Sequence, residues 1–247
     1  MTKGSEMTII QGYEDICKKI IAQEKSFKAY LEQFVLDKDC KETLDFLAKY
    51  TDVYIFSGLI RNFLIGEALI CRDIDIVLGP INDRRQIPFD FLRTSEYRKN
   101  SFGGFKIIHG SKEIDAWLLE NTWGIVNQNV EPTPMSLINS AFFNFSAITF
   151  DYKKERFIFG KPFVKFLKNR EIDIVYEENP NIPMCIINTL YYSMKYDLQI
   201  ADNLKHWIIK NYNSQVDYEQ VHVTHFNQVV FSNSLIELII KKINDNV

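Results

Sequence analysis

The stretch from Tyr54 to Gly79 constrains the fold of this chain more than any other segment. A short apolar run, predicted as a strand, ends at Ser57-Gly58, a small pair that suits a tight turn and the start of a helix. The next apolar residues recur at helical spacing, and Gly66 marks the end of that helix. From Arg72 to Leu78, polar and apolar residues alternate. The segment is therefore predicted to form a strand, a helix and a second strand.

Two carboxylates lie in the second of these strands. Asp73 and Asp75 are two residues apart, so their side chains project from one face while the intervening isoleucines turn to the core. A third acid, Asp115, lies in the second strand of a hairpin predicted at residues 107–109 and 113–119. Three clustered carboxylates suit two divalent metal ions that promote phosphoryl transfer. An isolated Asp-x-Asp is more often a solvated edge strand, but the turn and helix before it and the third acid after it favour a metal site.

Composition and charge limit the remaining possibilities. The 247 residues are 46% hydrophobic, which is enough for a substantial core. A formal charge of −3 argues against a generally basic coat for nucleic acid, although a local basic stripe could still contact phosphates. Four widely spaced cysteines, without a CxxC pair or a signal peptide, predict reduced thiols in the cytoplasm. No apolar run approaches the roughly 20 residues that cross a bilayer, so no membrane insertion is expected.

The other segments are predicted mainly as helices around this unit. Residues 13–35 have amphipathic spacing, and a second helix is predicted after Asp39. Residues 80–100 are polar and are predicted as a loop with at most a short helix. A second hairpin is predicted between residues 146 and 159, and helices from Pro183 onward.

Several of these motifs together resemble one known pattern. The family pattern is a Gly-Gly turn, Val-Arg-Asp, Leu-Leu-Gly and Asp-x-Asp, and here it reads Ser57-Gly58, Ile60-Arg61-Asn62, Leu64-Ile65-Gly66 and Asp73-Ile74-Asp75. The chain thus resembles the polymerase-beta-like nucleotidyltransferases, and within them the head and neck of class II CCA-adding enzymes and bacterial poly(A) polymerases. Ser140–Ile148 resembles a diverged copy of their Arg-Arg-Asp-Phe-Thr-Ile-Asn-Ala-Leu segment, and Asn181–Ile200 resembles their Glu-Asp-Pro-Leu-Arg neck helix. The likeness covers roughly residues 50–200.

The resemblance implies an α+β fold, with a nucleotidyltransferase head built on a mixed β-sheet flanked by helices, plus a helical neck. Three parts are predicted: N-terminal helices in residues 1–50, the catalytic head in residues 51–165, and the neck and C-terminal helices in residues 166–247.

It also implies a reaction and a set of site residues. The reaction is metal-dependent transfer of NMP or dNMP from a nucleoside triphosphate, such as ATP, to a hydroxyl group, with release of pyrophosphate. Two Mg²⁺ ions, or Mn²⁺ in their place, would be bound by the catalytic acids Asp73, Asp75 and Asp115. The candidate nucleotide-binding residues are Ser57, Gly58, Arg61, Lys106, Phe142 and Asn188.

Departures from the family pattern limit what it implies. Ala141 stands in place of a phosphate-contacting arginine, and Ile182 and Cys185 stand in place of the Asp and Arg that read the base edge. Without that donor and acceptor the site loses its base discrimination, so faithful CCA synthesis is not expected. Phe142 replaces an acid that contacts the sugar. A ring beside the sugar predicts a preference for dNTPs, whereas a ring turned into the core beside Phe143 would only pack.

The acceptor is left open by the sequence. The first choice is an RNA or DNA 3′-end, as in an untemplated polymerase or a tRNA-end modifier. The alternative is a protein hydroxyl or an oligonucleotide signal, as in toxin and antiviral-defence nucleotidyltransferases, with an effector protein as a possible partner. A third alternative is an inactive subunit that only binds nucleotide, which metal-dependent turnover would exclude.

Overall fold

The chain folds into helices and short strands, as the computed structural model shows for residues 3–67, 73–79, 96–99, 104–109 and 112–245. The helices are α1 Lys3–Ala22, α2 Glu24–Tyr30, α3 Lys38–Leu47, α4 Gly58–Leu64, α5 Trp123–Gln128, α6 Pro134–Asn139, α7 Lys161–Asn169, α8 Ile182–Lys195, α9 Asp202–Asn211, α10 Tyr218–Phe226 and α11 Asn233–Asn244. The strands are β1 Val53–Phe56, β2 Asp73–Leu78, β3 Glu96–Lys99, β4 Phe105–His109, β5 Lys112–Leu118, β6 Ile148–Asp151, β7 Arg156–Phe159, β8 Glu171–Ile172 and β9 Gln199–Ile200.

Seven of these strands form one mixed sheet in the order β3-β4-β5-β2-β1-β6-β7. Strands β2 and β5 are parallel, and the other neighbouring pairs are antiparallel. Strands β8 and β9 form a separate parallel pair. Both predicted hairpins are present, as β4–β5 and β6–β7. A mixed sheet flanked by helices confirms the predicted α+β fold.

The strand-helix-strand unit is also confirmed. Strand β1 ends at the Ser57 turn, α4 begins at Gly58, and the chain turns out of α4 at Gly66, which has a φ of 79°. A left-handed glycine after a helix is a common helix end because the position suits a residue without a Cβ atom. The isoleucines Ile74 and Ile76 of β2 are fully buried, as the alternation predicts.

Each face of the sheet packs against a different layer of helices. On one face, the Phe27 ring of α2 lies 5.2 Å from Phe63 of α4 and 4.9 Å from Phe150 of β6. On the other face, Tyr54 and Val77 form a smaller apolar cluster with residues of α5 and α6. Because strand side chains alternate, the acids of β2 share the face of Val77. The acids therefore lie on the side of the sheet that α5 and α6 cover.

Two segment predictions were wrong in part. The single helix predicted over residues 13–35 is instead α1, α2 and a π-helical turn at Leu31–Val35, with a break at Gln23. Directly after the break, the Glu24 carboxylate accepts a hydrogen bond from the Phe157 backbone N–H at 2.9 Å, a tertiary contact that local periodicity does not contain. Within the predicted loop at 80–100, residues 96–99 form strand β3 against β4. Residues 80–95 lie outside the described residues.

One continuous cluster of buried residues runs from Ile20 in α1 to Ile240 in α11 and crosses the three predicted parts. The division into three domains stays a prediction. In the described part of the chain, the cysteines Cys17, Cys40 and Cys185 are free thiols. No described helix combines the length and the apolar character needed to span a membrane.

Candidate active site

The sheet register brings the acids of β2 and β5 together. Asp75 pairs with Asp115, and Asp73 pairs with Glu113, across the parallel strands. Neighbouring strands lie about 4.8 Å apart, so these four side chains leave the same face of the sheet as adjacent pairs. The expected proximity of the two acid-bearing strands is confirmed. The catalytic role of the three aspartates stays a prediction.

The electrostatics of Asp75 reflect this crowding. Burial, together with the charges of Asp115 and Asp73, raises the pKa of Asp75 to about 6, against the opposing effect of the cations Lys106 and Arg61. The charged form of this carboxylate is therefore destabilised in the protein alone. A divalent cation at this position would stabilise the charged form.

A lysine occupies part of this acidic cluster. Lys106 of β4 is the strand partner of Asp115, and its Nζ lies 2.6 Å from a Glu113 carboxylate oxygen and 3.4 Å from an Asp115 oxygen. The hydrogen bond to Glu113 raises the pKa of Lys106, which keeps it charged. As the described side chains lie, no three or more acidic, histidine or cysteine groups are close enough together to hold a metal ion. The predicted nucleotide contact of Lys106 stays a prediction, and the structure places this lysine on the acids.

Sequence reasoning missed Glu113 as a member of this cluster. Glu113 could have been found from the two-residue spacing that groups Asp73 with Asp75. Glu113 lies two residues before Asp115 in the same strand, so the two carboxylates share a face.

The Ser57 turn is strained. Ser57 has φ 50° and ψ −93°, and its backbone N–H donates to the Ile148 carbonyl at 3.1 Å. Its side chain is buried and does not cap α4. A side chain in this backbone region costs roughly 1–3 kcal/mol, whereas glycine adopts it readily. The family pattern has glycine at this position, so the serine introduces the strain.

Ser57→Gly is therefore expected to raise the free energy of unfolding by about 1 kcal/mol, because relief of strain exceeds the greater chain entropy of glycine. Ser57→Ala keeps the Cβ atom and serves as the control, with no gain expected. Urea denaturation of the three proteins measures the difference. Equal stabilities for the glycine and alanine variants would show that the turn carries no such strain.

Gly58 has room for a side chain in the fold. A Cβ atom placed there meets only the Arg61 guanidinium, at 3.9 Å, which is an ordinary contact. The glycine is therefore not required by packing. Close approach of a ligand to the backbone is the remaining reason for a glycine at this turn.

Gly58→Val is expected to fold with a stability within about 1 kcal/mol of the parent, since only helix propensity changes. Its affinity for nucleoside triphosphate should fall about tenfold, because a branched side chain keeps phosphates away from the turn. Isothermal titration with ATP, beside a thermal unfolding curve, separates the two effects. A valine variant that binds nucleotide as well as the parent would make the turn structural only.

Arg61 lies in a cage of aromatic rings between α4 and the neck helix α8. Its guanidinium carbon lies 4.8 Å from the ring centres of Phe145 and Tyr192 and 5.2 Å from that of Tyr196. The side chain is only 5% exposed. Cation–π contacts of a desolvated arginine are each worth up to about 2 kcal/mol. The rings therefore account for the burial of this cation, which lies in the last turn of the short helix α4.

Hydrogen bonds complete this cage. Arg61 donates to the Tyr196 hydroxyl at 3.3 Å and to Asn62 at 3.1 Å, and Tyr196 donates to Asn62 at 2.8 Å. The tyrosines Tyr192 and Tyr196 are four residues apart on α8, a spacing that places both on one helix face. That four-residue spacing is the feature of the sequence from which part of the cage could have been predicted. The predicted phosphate contact of Arg61 stays a prediction, and the structure shows its side chain joining head to neck.

Phe142 takes the packing arrangement. Its ring is buried, 4.7 Å from Phe143 and 4.8 Å from Trp207 of α9. A sugar contact is the weaker explanation for this ring, because burial of its apolar surface in the core is more favourable in free energy than contact with a polar sugar. The dNTP preference inferred from a ring beside the sugar therefore has no supporting contact in the structure.

Asn188 of α8 carries an unsatisfied polar atom. Its Oδ1 is buried and has no hydrogen-bond partner among the described residues. Buried acceptors without a partner are rare and costly, so each one needs an explanation. An N–H or O–H group of a bound ligand would satisfy this oxygen. The nucleotide contact predicted for Asn188 stays a prediction that this observation supports.

Comparisons with known proteins agree on the fold. No family model matches the sequence, and no curated protein matches it significantly. Among solved structures, a CCA-adding enzyme in an apo form aligns with a TM-score of 0.61 and 15% identity, over 88% of this chain and 53% of its own. A CCA-adding enzyme with CTP aligns with a TM-score of 0.60 and 13% identity, over 85% and 53%.

A third structure is the Thermotoga maritima CCA-adding enzyme complexed with tRNA, with a TM-score of 0.56 and 15% identity, over 78% of this chain and 46% of its own. This chain spans about half the length of the proteins it matches. The fold is that of the CCA-adding nucleotidyltransferases, in diverged form, and the resemblance seen in the sequence is confirmed at the level of the fold.

Proposed function

We propose that this chain, on the nucleotidyltransferase fold, transfers a nucleoside monophosphate from a nucleoside triphosphate to a hydroxyl acceptor and releases pyrophosphate. The observation that carries the proposal is the pairing of Asp75 with Asp115, beside Asp73, on strands that adjoin the Ser57 turn. A fold hosts many activities, so the function rests on this group of acids rather than on the likeness alone.

The donor type suits Mg²⁺, and binding would require the acidic side chains to turn toward one point. Carboxylate oxygens are the ligands that this hard cation prefers, and Asp73, Asp75 and Asp115 would hold it. The Lys106 ammonium group already sits against Asp115, so the cluster attracts a cation in the protein alone. When bound, Mg²⁺ would supply charge neutralisation for the triphosphate and activation of the acceptor hydroxyl.

The chain's own residues would then bind and orient the substrate. Backbone N–H groups after Gly58 would donate to the phosphates, and Lys106 would move from Asp115 to the triphosphate. The Asn188 oxygen would accept a hydrogen bond from the nucleotide. The acceptor oxygen would bond to the α-phosphorus as the bond to pyrophosphate breaks, and Asp115 would take the hydroxyl proton.

The proposed acceptor is the 3′-end of a nucleic acid. Two solved structures with this fold contain CTP or tRNA, and both facts concern those proteins. For this chain they favour a polynucleotide acceptor. No feature of the described residues favours a protein hydroxyl. The three acids, with the raised pKa of Asp75, favour an active enzyme over a silent binding subunit.

The deciding experiment incubates the purified protein with each labelled NTP and dNTP, with Mg²⁺ or Mn²⁺, and with and without a single-stranded RNA. We expect the label to join the RNA 3′-end and the reaction to stop with EDTA. Label on the protein itself, or on short oligonucleotides formed without RNA, would redirect the assignment to the defence-type alternatives. No transfer under any condition, with nucleotide still bound, would leave a binding subunit.

A further inference from the structure

Helix α7 carries a strong local positive charge in an acidic chain. From Lys161 to Arg170 there are four basic residues and no acidic one, although the whole chain has a formal charge of −3. Charge of one sign concentrated in ten residues produces a local field that the net charge hides.

The three lysines of α7 share one face of the helix. Lys161, Lys165 and Lys168 stand at spacings of four and three, so they form a single stripe along the axis. The opposite face, with Phe163 and Phe166, is fully buried. The orientation of the stripe toward solvent is therefore imposed by the core.

Two of these lysines have no acidic partner in the described ranges. Lys165 is held by Asp173 at 2.7 Å and Glu171 at 3.6 Å. Lys161 and Lys168 are exposed and form no ion pair with any residue the structure describes. Unpaired lysines on a rigid helix are available to phosphates without the loss of an existing contact.

Open space lies on both sides of the stripe. One cavity of about 460 Å³ is lined by all three lysines together with Tyr13 of α1. A second, of about 640 Å³, is lined by Lys168 and by Lys19 of α1. The stripe therefore borders grooves between α1 and α7, and Lys19 extends the positive charge onto α1.

The topology places the start of α7 at the same end of the strands as the acids, while the buried side of α7 packs with α1 in the core on the other face of the sheet. The Ser57 N–H bonds to Ile148, Ile148 pairs with Phe159, and α7 begins two residues after Phe159. Two strand spacings, about 10 Å, separate the Ser57 turn from the end of β7. From Lys161 to Lys168 the helix rises about 10 Å.

We propose that the lysine stripe of α7 is the surface that binds the phosphate backbone of a single-stranded polynucleotide acceptor and leads its 3′-end toward the acids. The proposal deepens the proposed function and rests on it in so far as the acceptor is a polynucleotide. A chain held by backbone contacts would be bound without sequence preference and with strong salt dependence.

The test measures binding of a fluorescent 20-nucleotide RNA by anisotropy. The salt concentration runs from about 50 to 200 mM, a range over which affinity due to phosphate contacts falls steeply. The variant is Lys161→Gln/Lys168→Gln, which breaks no ion pair in the described structure. The control is Lys49→Gln/Lys241→Gln, which removes the same charge from two exposed lysines elsewhere.

We expect the α7 variant to bind RNA about tenfold more weakly and the slope of log K against log salt to fall by about 1.4, since each single-strand phosphate contact contributes about 0.7. The control should match the parent, and ATP affinity should be the same in all three proteins. In extension assays the KM for RNA should rise in the α7 variant while the KM for nucleotide stays constant.

Equal loss in the variant and the control, or no loss in either, would overturn the proposal. The proposal would also be wrong if the parent protein does not bind RNA and instead binds phosphatidylserine vesicles through the same lysines. If RNA binding depends on the stripe but the protein transfers no nucleotide to any acceptor, the binding surface is confirmed and the proposed function is wrong.

Discussion

Replacing Asp75 with asparagine is expected to abolish nucleotidyl transfer and, in the metal-free protein, to stabilise the fold at neutral pH. The activity should fall by about three orders of magnitude, because several kcal/mol of transition-state stabilisation depend on the cation that this carboxylate would hold. Asp73→Asn and Asp115→Ala should also lose activity. Undiminished transfer in Asp75→Asn would sink the assignment of the site.

The stability effect follows from the raised pKa. In the unfolded chain an aspartate titrates near 3.9, whereas burial and the neighbouring acids raise the folded pKa of Asp75 to about 6. Between pH 4 and about 6 the folded state therefore binds more protons than the unfolded state. The parent loses stability as the pH rises through this window, and above it the penalty is complete, at about 2–3 kcal/mol.

Asparagine has no such titration. The stability difference between Asp75→Asn and the parent should be small near pH 4, grow up to about pH 6 and then stay constant. Urea denaturation in EDTA at a series of pH values measures it. Added Mg²⁺ should then stabilise the parent more than the variant, because only the parent keeps all three carboxylates. If the stability difference does not change with pH, ionisation of Asp75 does not destabilise the folded protein.

Arg61→Ala is expected to lower the free energy of unfolding by about 3–5 kcal/mol. The truncation leaves a cavity among Phe145, Tyr192 and Tyr196, and it removes the donor that the Tyr196 hydroxyl accepts from. Large buried side chains cut to alanine cost this much in other proteins. Since the side chain joins α4 to α8, the loss should also loosen the neck against the head.

Two milder variants separate the parts of this effect. Tyr196→Phe keeps the ring and removes the hydroxyl that bonds to Arg61 and Asn62, so a loss of about 1 kcal/mol is expected. Arg61→Lys keeps the charge but not the planar group that stacks on rings, and should cost about 1–2 kcal/mol.

Nucleotide titrations of the same proteins decide between the cage and a phosphate contact. If Arg61 acts by joining head and neck, Arg61→Lys should lose stability and bind ATP less well in proportion. A lysine variant with parental stability and a selective loss of ATP binding would instead place the guanidinium on the phosphates.

The sequence by itself determined the strand-helix-strand unit, both hairpins and the burial of Ile74 and Ile76, because local periodicity and turn residues specify these features over a few positions. The same periodicity grouped Asp73 with Asp75. The resemblance of its motifs to the nucleotidyltransferase pattern implied the fold, which the solved structures confirm.

Only the tertiary structure decided which side chains meet across elements. The partnership of Asp75 with Asp115 depends on strand order, and the salt bridge from Lys106 to Glu113 depends on register, neither of which a local pattern contains. Phe142 could face a ligand or the core, and contact with Trp207, 65 positions along the chain, settled it.

Arg61 shows the same limit most clearly. The resemblance assigned its side chain to the nucleotide, whereas folding brought the rings of Tyr192 and Tyr196 from the neck against it. Periodicity determines which face of an element is buried. The identity of what covers that face is set by long-range packing, because the free energy of burial depends on which surfaces the whole chain brings together.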